Sequence, residues 1–118
     1  HVFLWLAGRV QPVSQRALDA IRDPGNVIYV SAATAWEIAI KRGLGKLTAP
    51  PDLAEEVERL RFTALPITLA HAAAVESLPL LHSDPFDRLL LAQAVTEKLH
   101  LVTRDAVMVE YGVPIIRA

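Results

Sequence analysis

Four carboxylates stand where their neighbours make chemistry conceivable: Glu37, Asp84, Asp87 and Asp105. Asp105 directly follows the apolar run Leu101-Val-Thr103-Arg104, which reads as a strand, so its side chain is expected at the carboxyl edge of a sheet. Asp84-Pro85-Phe86-Asp87 places two acids at the start of a largely apolar helix. Glu37 lies in Ala33-Thr-Ala-Trp-Glu37-Ile-Ala-Ile40, where nearly every neighbour is apolar. Each acid also has a plainer role. Asp84 and Asp105 suit helix N-caps, and Asp87 in a first turn gains from the helix dipole. Glu37 can pair with Lys41 one turn on, worth about 0.3–0.5 kcal/mol at a surface. The plain and chemical roles are compatible for the aspartates, because a helix N-terminus keeps a carboxylate ionised, as a cation ligand must be. Glu37 is expected to point into a cleft, since burying a helix around one carboxylate is otherwise costly.

Carboxylates gathered at one strand edge repel each other unless a cation lies between them. Oxygen-only ligands suit Mg²⁺ or Mn²⁺, which activate water and screen phosphate oxygens, so metal-assisted phosphodiester hydrolysis is the natural chemistry. Other chemistries find little support. His1, His71, His82 and His100 show neither an HExxH pattern nor zinc-type spacing and are expected to be ordinary surface or loop histidines. Ser31, Ser83 and Thr103 lie in no GxSxG elbow, and Gly43-Leu-Gly45-Lys46 lacks the frame of a phosphate loop. Lys41, Arg42 and Lys46 form a small basic cluster suited either to RNA phosphates or to a solvated face.

The elements that must position these residues alternate between helix and strand. Gly8 to Pro12 reads as a turn and Ser14 to Arg22 as a helix stopped by Asp23-Pro24-Gly25-Asn26. Val27 to Val30 is an unbroken apolar run rich in β-branched residues, expected to be a strand buried on both faces. Ala33 to Arg42 reads as helix, with Ser31 or Thr34 to cap it and Gly43 to end it. After a loop from Leu44 to Pro51 come a helix over Asp52–Arg61 with charges outward, a strand over Ala64–Ile67 and a helix over Thr68–Ser77. A loop from Leu78 to Ser83 leads into the longest helix, Asp84–Lys98, with Pro85 at its first position. A strand over Leu99–Thr103, a short helix from Asp105 and a strand over Val113–Ile116 complete the series. Such βα alternation predicts an α/β domain with a mainly parallel sheet and its site at the carboxyl ends of the strands.

Composition sets bounds without naming a partner. The 118 residues fit one domain, with 53% apolar and 21% charged residues. A formal net charge of −1 offers no bulk basic footprint for nucleic acid, so an enzyme acting on phosphates would need metal ions or a local basic patch. The chain has no cysteine, which removes disulfides, zinc–thiolate sites and thiol nucleophiles and is consistent with a reducing cytosol. No apolar run approaches the roughly 20 residues of a membrane span, so a cytoplasmic protein without membrane contact is expected.

Several ordered segments together resemble PIN-domain ribonucleases of the VapC toxin type: Val30-Ser-Ala-Ala-Thr-Ala-Trp-Glu-Ile-Ala-Ile-Lys41, Gly45-Lys-Leu47, Leu65-Pro-Ile-Thr68, Asp84-Pro-Phe-Asp-Arg-Leu-Leu-Leu-Ala-Gln-Ala94 and Leu101-Val-Thr-Arg-Asp105. His1-Val-Phe-Leu-Trp5 is similar to the tail of that family's first strand and the turn after it. The resemblance spans essentially the whole chain. It implies a three-layer α/β/α fold, a Mg²⁺ or Mn²⁺ site of about four acids and endoribonuclease activity on RNA. It also implies a cognate antitoxin that blocks the site, and a homodimer. By motif, Glu37, Asp87 and Asp105 would be the second, third and fourth acids, acting as metal ligands and orienting the attacking water. Asp84, Thr103 and Arg88 would play supporting parts, and Arg88 and Arg104 would face phosphate charge or pair with the adjacent acids. The chain departs from the family at its start, where the first acid and the central strand that carries it are missing. The natural protein is therefore expected to have further N-terminal residues ending in Asp-Thr, and the loss of that strand should leave unpaired backbone on both neighbours. A catalytically impaired binding module of the same fold and a related DNA nuclease are the alternatives.

Overall fold

Residues 1–8 and 12–118 are described by a computed structural model. The turn expected over Gly8 to Pro12 therefore lies largely outside the described residues. In chain order the elements are α1 (Val2–Gly8), α2 (Gln15–Arg22), β1 (Tyr29–Ser31), α3 (Ala32–Gly43), α4 (Leu53–Arg59), β2 (Thr63–Leu65) and α5 (Leu69–Ala74). A 3₁₀ turn over Val75–Ser77 follows, then α6 (Pro85–Glu97), β3 (Leu101–Thr103), α7 (Ala106–Val109) and β4 (Ile115–Arg117).

Helix starts follow their caps. Ser14, Ser31, Asp52, Thr68, Asp84 and Asp105 each accept a backbone N–H of the first turn that follows. Thr68 and His71 form a reciprocal capping box, with the imidazole in the place usually taken by Glu or Gln. α6 ends at Lys98 in the left-handed region (φ 56°), which lets the Leu99 N–H return to the Ala94 carbonyl at 2.9 Å.

All four strands pair in parallel, but as two separate pairs. β1 runs beside β2 with Tyr29, Val30 and Ser31 opposite Thr63, Ala64 and Leu65. β3 runs beside β4 with Leu101, Val102 and Thr103 opposite Ile115, Ile116 and Arg117. Between the pairs lies a cavity of about 600 Å³, lined by Tyr29, Val30 and Ser31 on one side and Val102, Thr103 and Ile116 on the other. The Thr63 N–H bonds to the Ile28 carbonyl, and the Leu101 N–H to the Pro114 carbonyl. Alternation along a parallel strand then turns the backbone groups of Tyr29 and Val102 toward this slot. The α/β class and the parallel pairing match the sequence expectation.

Two local expectations need correction. His1–Leu6 is not the tail of a strand. Val2–Gly8 is helical, starting with the Trp5 N–H on the His1 carbonyl at 3.0 Å and burying Phe3. Without a neighbouring strand, local i→i−4 bonds are what satisfy this backbone. The run Val27–Val30 is not buried on both faces either: the strand is Tyr29–Ser31, with Val27 63% and Tyr29 42% exposed. It has one pairing partner instead of two, so its outer edge opens to the slot.

The core forms around α6. Leu91 and Ala94 pack with Met108 and Val113, flanked by Leu90, Leu99, Leu101 and Tyr111. Behind it runs a buried polar chain. The Ser31 hydroxyl donates to Gln93 Oε1, and Gln93 Nε2 donates to the Pro66 carbonyl and to His71 Nδ1, each at 3.3 Å. His71 Nδ1 also accepts the Thr68 N–H at 3.1 Å, which leaves Nε2 to donate to Glu97 Oε1 at 2.7 Å. His71, 1% exposed, is thus a core histidine rather than the surface or loop residue expected. Its position in an Ala-rich helix that packs on α6 buries it, and four partners make that burial tolerable.

Candidate metal centre

The site forms where three chain segments end. Asp84 Oδ1 accepts the N–H groups of Phe86 (2.9 Å) and Asp87 (3.5 Å), starting α6 so that Asp87 lies in its first turn. At the end of β3, Thr103 Oγ1 accepts the Asp105 N–H at 3.1 Å and donates to Met108 Sδ at 3.5 Å. Asp105 Oδ1 then caps α7 through the Val107 N–H at 2.9 Å, leaving Oδ2 to face His82 and Asp87. The third segment is the loop from Leu78 to Ser83. Tyr111 Oη accepts the backbone N–H groups of Leu81 (3.2 Å) and His82 (2.7 Å), drawing the loop over the site.

His82 is the residue that this loop delivers. Its Nε2 lies 2.9 Å from Asp105 Oδ2 and 3.0 Å from Asp87 Oδ2, and the three atoms all fall within 4.8 Å of one another. Its Nδ1 accepts the Asp84 N–H at 3.1 Å. All three side chains are partly covered, at 16% exposure for His82, 24% for Asp87 and 36% for Asp105.

The shared site divides the two acids electrostatically. Burial raises the pKa of Asp87 first, the Asp84 carboxylate adds to the rise, and Glu37 and Asp105 push the same way against the opposing pull of His82. The hydrogen bond from His82 lowers the pKa of Asp105, helped by the Val107 N–H, and the Asp105 bond likewise raises that of His82. Carboxylates held apart in this way at one edge are characteristic of functional sites.

The other sequence candidates are placed as follows. Glu37 on α3 forms the plain i,i+4 pair with Lys41 at 3.2 Å; its side chain is 18% exposed, and its charge reaches Asp87 without joining the close cluster. Asp84 is a cap, as expected, and adds charge to the site. Thr103 lines the slot and fixes the turn into Asp105. Arg88 bonds to neither acid. Its guanidinium donates to the carbonyls of Pro79 (2.7 Å) and Val75 (3.0 Å) and to Tyr111 Oη (3.4 Å). Arg104 likewise donates to the carbonyls of Ala118 (3.1 Å) and Pro12 and lies 4.3 Å from the Trp5 ring centroid. Both arginines were expected to face phosphate or pair with the acids. Their planar donors instead satisfy loop and terminal carbonyls. Of the small basic cluster, Arg42 is similarly engaged by the carbonyls of Pro50 and Pro51.

His82 is the member of the close cluster that sequence reasoning did not single out. Its spacing from Asp87 fits no ligand motif, and the one available signal is a histidine two residues before a capping aspartate on a short loop.

Two carboxylate oxygens converging where β3 ends and α6 begins suit a hard divalent cation, so site and fold define a parallel α/β domain with a candidate metal centre. The chain belongs to the PIN domain family, whose profile matches residues 1–113. Members share a nuclease-type fold and are generally metal-dependent nucleases. No curated protein matches the chain. Among the described residues no helix is long and apolar enough to cross a membrane.

Proposed function

We propose that this protein is a metal-dependent endoribonuclease, the toxin of a VapC-type toxin–antitoxin pair, acting in the cytoplasm. The observation that carries this reading is the convergence of Asp87 and Asp105 in a PIN domain. A Mg²⁺ or Mn²⁺ ion held by these two, with Glu37 beside them, would supply an activated water and screen the phosphodiester oxygens. The chain's own residues do the rest. Thr103 and the start of α7 hold Asp105 still, and the start of α6 does the same for Asp87. Glu37, anchored by Lys41, offers an acceptor that orients the attacking water.

The same reading assigns the slot between β1 and β3 to a central strand bearing a further acid, supported by the free edges on both sides. It assigns exposed apolar side chains such as Trp36 (56% exposed), Leu69 (91%) and Leu80 (90%) to contacts with an antitoxin or a second copy. One observation favours a non-catalytic antitoxin-binding module instead: Glu37 pairs with Lys41, so among the described residues two acids, Asp87 and Asp105, converge.

Cleavage of single-stranded RNA and DNA with Mg²⁺ or Mn²⁺, comparing the wild type with Asp87→Asn in a form extended upstream by the family's first strand, tests the readings. The expected result is RNA cleavage that falls at least a hundredfold in the variant. Equal rates would reject the catalytic role of Asp87, no cleavage by either would favour the binding module, and cleavage of DNA alone would replace the substrate.

A further inference from the structure

The position between Asp87 and Asp105 is filled by a side chain of this protein, and the hydrogen bonds around that side chain define its role. His82 Nδ1 accepts the Asp84 N–H, which requires Nδ1 to carry a lone pair. The ring proton of neutral His82 is therefore on Nε2, the atom aimed at both Asp87 Oδ2 and Asp105 Oδ2. A histidine that binds a metal does the reverse: it turns a lone pair toward the ion and donates from its other nitrogen to an acceptor. In this orientation His82 cannot be a ligand through Nε2. It is a donor that bridges two carboxylates from the position a shared cation would take.

The arrangement is built rather than incidental. The His82 and Leu81 N–H groups are fixed on Tyr111 Oη. Tyr111 itself packs against the core around Leu91, and Arg88 pins the same loop through the carbonyls of Leu78 and Pro79. The geometry points to His82 as an internal occupant of the cation position, one that a divalent ion must displace and that therefore weakens metal affinity. This inference rests on the reading of Asp87 and Asp105 as metal ligands.

Titration calorimetry with Mn²⁺ at one fixed pH, with the electron paramagnetic resonance signal of free Mn²⁺ as a second readout, tests it on the wild type, H82A, Y111F and D87N. H82A is expected to bind Mn²⁺ about tenfold more tightly than the wild type, a difference of about 1.4 kcal/mol. Y111F, which frees the loop while keeping the imidazole, is expected to shift in the same direction by a smaller factor. D87N is expected to lose most binding. Equal or weaker binding by H82A, with D87N still defective, overturns the inference and leaves the metal site standing. If H82A cannot be obtained folded, unchanged or weaker binding by Y111F has the same force. Binding by D87N equal to wild type overturns the metal site itself, and the inference with it.

Discussion

Asp87 illustrates the conflict created by burying a carboxylate among others. It is partly buried beside three other carboxylates, and burial together with their charge raises its pKa. For an acid this means that the ionised form is disfavoured in the folded state. Its contribution to stability is fully present below the usual carboxylate range and is lost as pH rises through the elevated folded value. D87N should therefore melt a few degrees higher than wild type at neutral pH without divalent ions, the shift that about 1 kcal/mol produces in a domain of this size. The advantage should vanish when both are melted near pH 3, and a saturating divalent ion should raise the melting temperature of the wild type alone. Thermal scans under these conditions check all parts. At this scale the caps Asp84 and Asp105 were legible because each stands directly before a helix that needs an acceptor at its start. His82 was not, because its role depends on a loop closing onto Tyr111, 29 residues further along.

At the scale of elements, α5, α6 and β1 are joined by the chain Ser31–Gln93–His71–Glu97. Removing a fully buried member strands several partners at once. His71→Ala should cost about 2–4 kcal/mol, combining lost packing with unsatisfied groups on Gln93 and Thr68, and urea denaturation measures it. His71→Gln, which can keep part of the network, should cost less. Helices α2 to α7 were legible from sequence because each start carries a local capping residue, from Ser14 to Asp105, which α1 lacks. Strand limits were less so. Val27 and Ile28 have strand-forming side chains, but what ends a strand is the reach of its partner, and β2 pairs only with Tyr29–Ser31. That Arg88 and Arg104 bond to carbonyls and not to the adjacent acids was illegible for a related reason, because sequence adjacency to an acid says nothing about which carbonyls a folded loop leaves in need of a donor.

For the molecule as a whole, the dominant feature is the slot that divides the sheet. Its edges can be tested directly. The Leu101 amide is held by Pro114, whereas the Val102 amide faces the slot, so hydrogen exchange at Val102 and Tyr29 should run well ahead of that at Leu101 and Val30. Adding a strand that fills the slot should slow the first pair toward the second. Parallel pairing was foreseeable from the helix–strand alternation, but the helical conformation of Val2–Gly8 was not.

Asp105 carries a consequence for how such a protein changes over generations. One of its oxygens starts α7 while the other faces the metal position. Asparagine would keep the first function and abolish the negative charge on which the second depends, and the two residues are one base apart in the genetic code. A lineage can therefore lose the charge at this position in a single mutational step with its architecture intact.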